Sequence, residues 1–355
     1  MRLLPKGSPA PSHTSVKNAE RREFLAASLG TAGAMTLLNQ LAPLFAQAPP
    51  KKRIDIHHHV IAPEYRKAVE AAGLGTLPAL TPEISIGEME KNGIALGMLS
   101  LAAPGLWFGN REQSRFLARS INDYGAKMVR DFPGRFGLMA ALPLLDIDAS
   151  LKEIAYAYDT LKADGIGLIT SYEDRYLGDP VFAPVWEELN RRNAVIYTHP
   201  SWPACCSKMK DDLNVSTVEY ATDTTRTIGS IVFSGTAVRY PNIRWIFSHG
   251  GGTLPFLVSR FEREEATLKN KQTILPNGLR PELRKFYYEV AQANHAGALD
   301  ALLRLVPVSQ VLFGTDYPYR PSAEAVDGLA AYKVPAADLA AIERENVLRL
   351  FPSRK

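Results

Sequence analysis

The 355-residue chain contains very little cysteine, and its two cysteines, Cys205 and Cys206, are adjacent. Neighbouring cysteines do not form an ordinary long-range disulfide, so a fold held together by disulfides is excluded. A hydrophobic core must therefore provide the stability, and the 46% of hydrophobic residues is enough to build one. A catalytic thiol and a simple loop position both remain open for the cysteine pair.

An excess of charge of one sign is also missing from most of the chain. The formal net charge is +4, and most of the excess lies in the first 48 residues. The remainder is close to neutral and has no RNA- or DNA-binding motif, which argues against nucleic acid as a partner. The chain also lacks a G-x-G-x-x-G motif and a Walker lysine, which argues against nucleotide binding.

The N-terminal segment has no apolar run long enough to span a membrane. Arg21 and Arg22 precede a moderately apolar stretch that breaks at Asn39, and Ala46-Gln47-Ala48 follows as a small-x-small site. This order is typical of a twin-arginine export signal, and it predicts a signal at 1–48 and a periplasmic protein. An ordinary buried first helix is the alternative. Pro49 leaves the point of cleavage open.

From residue 49 to residue 355, short β-rich runs alternate with segments of helical period. The predicted strands are 54–58, 95–101, 136–142, 165–170, 194–198, 243–248, 286–290 and 310–313. Strands that alternate with helices imply βαβ units, and eight of them predict a (β/α)8 TIM barrel, with a doubly wound open sheet as the alternative. The long insert at 201–221 is predicted to be a lid over the barrel mouth.

Three helical segments are predicted from the 3.6-residue period. The segment 111–132 places Phe116, Leu117, Ile121, Tyr124, Met128 and Val129 on one face. The segment 150–165 is expected to end at Gly165 as a C-cap. The segment 179–193 begins with Asp-Pro, which is a favourable pair for a helix start.

Side chains that carry chemistry fall at the carboxyl ends of the predicted strands, where TIM barrels place their active sites. These residues are His57 and His59 in IDIHHH, His199 in YTHP, His249 in FSHGGG and Asp316 in GTDYP. Side chains alternate along a strand, so His57 and His59 point one way and His58 points towards the helices. Imidazole nitrogens and a carboxylate suit one divalent ion, so we predict a mononuclear metal site formed by His57, His59, His199 and Asp316. Zinc is the first expectation and manganese the alternative.

These motifs, spread over about residues 53–352, resemble the metal-dependent decarboxylases of the amidohydrolase superfamily, including semialdehyde-type and aromatic-acid members. The resemblance implies His57, His59, His199 and Asp316 as metal ligands, with His249 and Asp316 as catalytic residues. It also implies that Arg260, in LVSR, reaches a substrate carboxylate across a homodimer interface. An exposed helix arginine is the alternative for Arg260.

Two departures from the family patterns leave the substrate open. The stretch 73–85 lacks the arginine of semialdehyde-type members, and Gly252 stands where resorcylate-type members have a glutamate. Trp107 and Phe108 in PGLWFG, with Trp202, favour an aromatic-lined pocket for a flat, unsaturated carboxylic acid, and lid packing is the alternative for these rings.

The predicted function is non-oxidative, metal-dependent decarboxylation of a small aromatic or unsaturated acid. Proton delivery to carbon by Asp316 and attack of a metal hydroxide assisted by His249 both remain open as routes. One alternative is a lactonase-type hydrolase or hydratase, although GIGLITSYEDR, at 165–175, has no lysine that could be carbamylated in a binuclear site. The other is a periplasmic metal- or ligand-binding protein without turnover.

Overall fold

Eight parallel strands form one sheet in the computed structural model, which describes residues 52–203 and 213–354. The strands are β1 (Arg53–His59), β2 (Ile94–Ser100), β3 (Phe136–Ala141), β4 (Gly165–Ile169), β5 (Val195–His199), β6 (Arg244–Phe247), β7 (Tyr287–Glu289) and β8 (Val311–Leu312). Each strand pairs in parallel with the next along the chain. All eight predicted strands are therefore confirmed, with ends that differ from the predicted ones by at most one residue.

The sheet closes into a barrel through single hydrogen bonds between β1 and the segment that follows β8. Ile56 N donates to Phe313 O at 3.0 Å, and Asp316 N donates to His57 O at 2.9 Å. Asp55 adds a side-chain link, because its carboxylate accepts from Thr315 N at 3.0 Å and from Thr315 Oγ1 at 2.6 Å. This closure confirms the TIM barrel and excludes the open sheet.

Helices surround the barrel between successive strands. They are α1 (Pro63–Ala71), α2 (Pro82–Lys91), α3 (Arg111–Asp131), α4 (Ile147–Ala155), α5 (Ala183–Arg191), α6 (Val215–Phe233), α7 (Thr236–Arg239), α8 (Leu254–Thr267), α9 (Lys271–Ile274), α10 (Leu279–Leu283), α11 (Ala296–Leu305), α12 (Ser322–Tyr332), α13 (Ala336–Ala340) and α14 (Asn346–Leu350). Short 3-10 turns lie at Pro180–Phe182, His249–Gly251, Val308–Gln310 and Pro352–Arg354, π-helical turns at Tyr156–Thr160 and Ala341–Glu345, and a two-residue hairpin pairs Ser171–Tyr172 with Arg175–Tyr176. Within the described ranges, no helix combines the length and the apolar character that crossing a membrane requires.

Two details of the predicted helices are wrong. Phe116 on α3 is 57% exposed, because the stripe through Leu117 and Ile121 faces the core and Phe116 lies about 100° around the helix from Leu117. Gly165 is not a C-cap, since α4 continues only as the π-helical turn and Gly165 begins β4. The left-handed backbone position between them is taken by Lys162, with φ of 58°.

Two buried clusters hold the barrel together. The larger one packs the sheet against the helices and includes Trp186, Trp245 and Phe247. The smaller one joins residues from the strands, among them Met98 and Tyr197, to the C-terminal helix α14 and to Phe351. The carboxyl ends of the strands remain free of this apolar filling, and there the polar side chains converge.

Candidate metal centre and active site

Four of the predicted site residues meet at the carboxyl ends of three strands. His57 and His59 end β1, His199 ends β5, and Asp316 follows β8 by four residues. All four side chains are buried, and one ligand atom from each lies within 4.8 Å of the others. The structure therefore brings together the complete set that the sequence predicts for the metal.

The three imidazoles are held in place through their Nδ1 atoms. The partners of these atoms are Glu289 Oε1 for His57 at 2.8 Å, Ser100 O for His59 at 3.2 Å and Pro200 O for His199 at 2.8 Å. Carboxylate and carbonyl oxygens only accept, so each Nδ1–H donates and each Nε2 is directed to the centre. Such partners fix ring orientation and tautomer in metal sites.

The Nε2 atoms crowd around one carboxylate oxygen. His57 Nε2 and His59 Nε2 are 3.0 Å apart, and each is 3.0 Å from Asp316 Oδ1. His199 Nε2 is 3.9 Å from the same oxygen. Three imidazole nitrogens and one carboxylate oxygen are a donor set that zinc commonly takes, so the cluster fits one divalent ion.

The protonation of these groups follows from their burial and their charged neighbours. Burial lowers the pKa of His57, but the charges of Asp316 and Glu289 outweigh it and raise that pKa to about 10. Burial lowers the pKa of His59, and it lowers the pKa of His199 to about 3. Burial alone would raise the pKa of Asp316, but the charge of the neighbouring His57 outweighs burial and holds the pKa of that carboxyl well below its usual range.

The second oxygen of Asp316 faces different partners. Gln292 Nε2 donates to Asp316 Oδ2 at 2.6 Å, and His249 Nε2 lies 3.5 Å from that oxygen. His249 follows β6, as predicted, and its Nδ1 is buried without a hydrogen-bond partner among the described residues. Asp316 thus connects the imidazole cluster on one side to His249 and Gln292 on the other.

His58 points away from the cluster, as predicted. Its Nε2 is 3.0 Å from Ser85 Oγ on α2, and its Nδ1 is 3.1 Å from Asp55 Oδ2. The ring stacks on Tyr317 with a centroid distance of 5.3 Å. His58 therefore braces β1 against α2 and against the segment that carries Asp316.

A cavity of about 380 Å³ opens above the cluster. Its lining includes His199, Asp316, Gln292, Tyr220, Tyr319 and Arg320. Burial raises the pKa of Tyr220 to about 12, so its hydroxyl is a neutral hydrogen-bond donor. The volume falls in the range of small-molecule sites and suits a single aromatic ring.

The residues expected to contact the substrate lie elsewhere in this chain. Arg260 is exposed on α8 and lines a separate outer cavity of about 550 Å³ with Phe233 and Phe261. Trp107 lines another cavity, together with Trp202, and its Nε1 donates to Glu173 Oε1 at 3.0 Å.

Phe108 is half-buried and packs against the main core, so the prediction that it lines the metal cavity is wrong. Tyr220 and Tyr319 form the aromatic walls of that cavity instead.

The predicted lid is described only at its two ends. Residues 204–212, which include Cys205 and Cys206, lie outside the described residues. The part from Asn214 onwards leads into α6, and Asn214, Ser216 and Tyr220 line the metal cavity. This part of the insert therefore borders the site.

The glycines after His249 let two segments of backbone pack closely. Gly250, Gly251 and Gly252 all have positive φ, between 63° and 78°. A Cβ at Gly252 would lie 2.0 Å from Ala221 O on α6. A glutamate at this position, as in resorcylate-type members, would not fit this backbone.

Five residues near the cluster were missed by the sequence analysis. They are Asp55, Tyr220, Glu289, Gln292 and Tyr319. Glu289 had a signal, because it is the only charged residue in the otherwise apolar run FYYEV. Asp55 had one as well, because it lies within the motif IDIHHH. Tyr220, Gln292 and Tyr319 lie outside the quoted motifs, and only the folded chain brings them to the site.

A closed (β/α)8 barrel with a His/Asp cluster at the carboxyl ends of its strands defines a metal-dependent enzyme of the TIM-barrel class. The amidohydrolase family model matches residues 54–353. The chain therefore belongs to the amidohydrolase family.

Curated relatives cover most of the chain. It is 38% identical over 289 residues to decarboxylase macB of Penicillium terrestre, covering 76% of this chain and 85% of that protein. It is 32% identical over 314 residues to the 6-methylsalicylic acid decarboxylase of Penicillium expansum, covering 85% and 97%. A crystal structure of an amidohydrolase II superposes with a TM-score of 0.79 at 28% identity, covering 84% of this chain and 99% of that one.

Proposed function

We propose that this enzyme is a carboxy-lyase that removes the carboxyl group from a small aromatic acid with a hydroxyl group ortho to it. The observation that carries the proposal is the His/Asp cluster at the floor of a one-ring cavity walled by Tyr220 and Tyr319. The relative that is named a 6-methylsalicylic acid decarboxylase supports the same reaction and an acid of this type.

In the proposed site, His57, His59, His199 and Asp316 Oδ1 would hold one divalent ion. When bound, such an ion would supply positive charge that stabilises the carboxylate and the neighbouring oxygen of the substrate. Tyr220 and Tyr319 contact the faces of the ring, and Arg320, at the rim, attracts the anionic acid to the cavity.

Asp316, which is ionised in the free enzyme, takes the proton of the ortho hydroxyl group on Oδ2 and gives it to the ring carbon that bears the carboxyl group. The bond from this carbon to the carboxylate then breaks, its electron pair restores the aromatic ring, and CO₂ leaves. Asp316 is then ionised again, and His249 Nε2, 3.5 Å from Oδ2, is placed to relay a proton from solvent through Oδ2 to the phenolate oxygen of the product.

The test is to incubate purified protein with salicylate, 6-methylsalicylate, 2,6-dihydroxybenzoate and a muconolactone, and to measure both CO₂ release and ring opening. Release of CO₂ from at least one ortho-hydroxy acid is the expected result. Ring opening of the lactone without CO₂ release would establish the hydrolase alternative. Metal binding with neither reaction would establish a binding protein.

We also propose zinc as the resident ion, on the basis of the three imidazole nitrogens. Metal analysis of protein purified without added metal should give about one zinc per chain. Manganese in its place, with restoration of activity by Mn²⁺ and not by Zn²⁺, would overturn this assignment.

A homodimer is the third part of the proposal. Phe256 on α8 is 85% exposed, and it lies on the same helix as Arg260 and the outer apolar cavity. A large exposed apolar side chain beside such a cavity favours a protein interface. Sedimentation should give a dimer for wild-type protein and a monomer for Phe256→Glu, while Phe116→Glu, also at an exposed phenylalanine, should remain a dimer. A wild-type monomer would contradict the proposal.

A further inference from the structure

We propose that Gln292 is a positioning residue for Asp316, and that its amide holds Oδ2 towards the cavity while Oδ1 stays with the imidazoles. The inference rests on the proposed decarboxylation, since Asp316 is there the group that protonates carbon. Gln292 lies three residues after the end of β7, on the rim between His249 and Asp316.

The hydrogen bond between Gln292 and Asp316 is short, and Gln292 is its donor. Gln292 Nε2 lies 2.6 Å from Asp316 Oδ2, and a carboxylate accepts hydrogen bonds, so the amide nitrogen is the donor. A hydrogen bond to an ionised carboxylate is about twice as strong as one between neutral groups. Asp316 Oδ1 is meanwhile 3.0 Å from the Nε2 atoms of His57 and His59.

These contacts hold the two carboxylate oxygens on opposite sides. Rotation of the carboxylate away from this orientation would break the bond to Gln292. The same amide nitrogen is 3.4 Å from His249 Nε2, so Gln292 lies beside both His249 and Asp316. Gln292 therefore determines the orientation in which the carboxylate presents one oxygen to a substrate in the cavity.

The backbone gives an independent reason to assign a role to this side chain. His249, Gln292 and Asp316 have φ values of 53°, 54° and 65°, a region that residues other than glycine seldom adopt. They follow three successive strands, and their side chains meet at one carboxylate. Strained conformations of this kind cluster where side-chain placement matters for function.

The turn that carries Gln292 is held rigidly on both sides. Ala291 N donates to Glu289 Oε2 at 2.6 Å, and Ala293 N donates to Val290 O at 2.9 Å. Glu289 also holds His57, so the turn and the imidazole cluster share one anchor. The position of the amide is thus fixed by the fold before any substrate enters.

The test compares Gln292→Met with Gln310→Met. Methionine keeps the length of the side chain and removes the donor. Gln310 is a matched control, because its Nε2 also donates a bond, to Phe286 O at 3.1 Å, but it lies just before β8 and so at the other end of the barrel. With an acid from the panel, Gln292→Met should lower kcat by about 10- to 100-fold with KM within about threefold, and Gln310→Met should leave both unchanged.

A second variant separates the amide from the strained backbone. Asparagine tolerates positive φ better than glutamine, but its amide is one methylene shorter. Gln292→Asn should therefore keep or raise the melting temperature and still lower kcat. Full activity in Gln292→Asn would mean that only the backbone conformation matters, and it would overturn the proposal.

The Co²⁺-loaded proteins give a readout that does not depend on a substrate. Each should bind about one Co²⁺, and the visible spectrum of Gln292→Met should differ from that of wild-type protein because Asp316 is free to turn towards the ion. An unchanged spectrum, an unchanged kcat, or a rise in KM alone would each overturn the proposal. If wild-type protein decarboxylates none of the acids, the proposed function fails, and the Co²⁺ spectra alone still decide the role of Gln292.

Discussion

Glu289 is the residue on which most of the site geometry depends. Its carboxylate is fully buried, and it accepts from His57 Nδ1 at 2.8 Å, from His249 N at 2.7 Å and from Ala291 N at 2.6 Å. One side chain thus orients an imidazole of the cluster, the backbone of His249 and the turn before Gln292. These three hydrogen bonds fix the orientation of the buried carboxylate.

Replacing Glu289 by glutamine should weaken metal binding. The amide oxygen can accept from His57, but its NH₂ group would then face the N–H of Ala291, and two donors repel. We expect metal affinity to fall by about 10- to 100-fold, measured by competition with a chelator. Glu282→Gln is the control, since Glu282 is equally buried but lies on α10, where it accepts a hydrogen bond from Lys285 in the turn that follows the helix. Equal affinity in both variants would contradict the role of Glu289.

Alanine substitutions of His249 and His199 should separate a loss of catalysis from a loss of metal binding. His249→Ala should keep most of its ion, because the four ligands of the proposed set remain, while turnover should fall by about two to four orders of magnitude. His199→Ala should lose both ion and activity. Metal analysis beside a CO₂ assay distinguishes these results, and loss of the ion from His249→Ala would make His249 a ligand.

Among the elements, the loop between β6 and α8 sets how closely α6 approaches the barrel. Gly251 and Gly252 have left-handed backbone, and a Cβ at Gly251 would come within 2.8 Å of the Tyr288 ring. Because α6 also carries Tyr220, this close approach determines the width of the cavity above the cluster. The glycines therefore act on the substrate cavity without contacting it.

Substitution of Gly252 by alanine should cost stability for two reasons that a control can separate. Gly134→Ala carries only the backbone penalty, since Gly134 has φ of 76° and nothing lies within 4 Å of its added Cβ. That penalty should be about 1–2 kcal/mol. Gly252→Ala should lose a further ~1–3 kcal/mol through the clash with Ala221 O. Urea unfolding measures both, and equal losses would contradict the clash.

The sequence predicts elements better than it predicts their contacts. Apolar runs bounded by turn residues locate all eight strands, and side-chain alternation in β1 separates His58 from His57 and His59. Phe116 is misplaced, because periodicity gives the apolar stripe of a helix and not its edge. Phe108 is misplaced, because the aromatic composition of a loop does not show which cavity each ring lines. Tyr220, Gln292 and Tyr319 were missed for another reason, since loop conformation decides which side chains from distant segments meet, and no local period encodes it.

At the scale of the whole molecule, the first 48 residues are predicted from sequence to direct export, and they lie outside the described residues. Arg21→Lys with Arg22→Lys should retain the protein in the cytoplasm, because twin-arginine signals are read through the arginine pair. Cell fractionation with the wild-type signal as the control measures this. Continued export of the double variant would indicate the general secretory route.

The closure of the barrel by β1 and the segment after β8 has a consequence for how the enzyme matures. His59 and Asp316 are 257 positions apart in the chain, and both belong to the proposed ion site. An ion bound there would be a cross-link between the first and last strands, and cross-links over long loops remove the most entropy from the unfolded chain. Synthesis must pass residue 316 before such a link can form, so metal loading would be a late, post-translational step that locks a finished barrel.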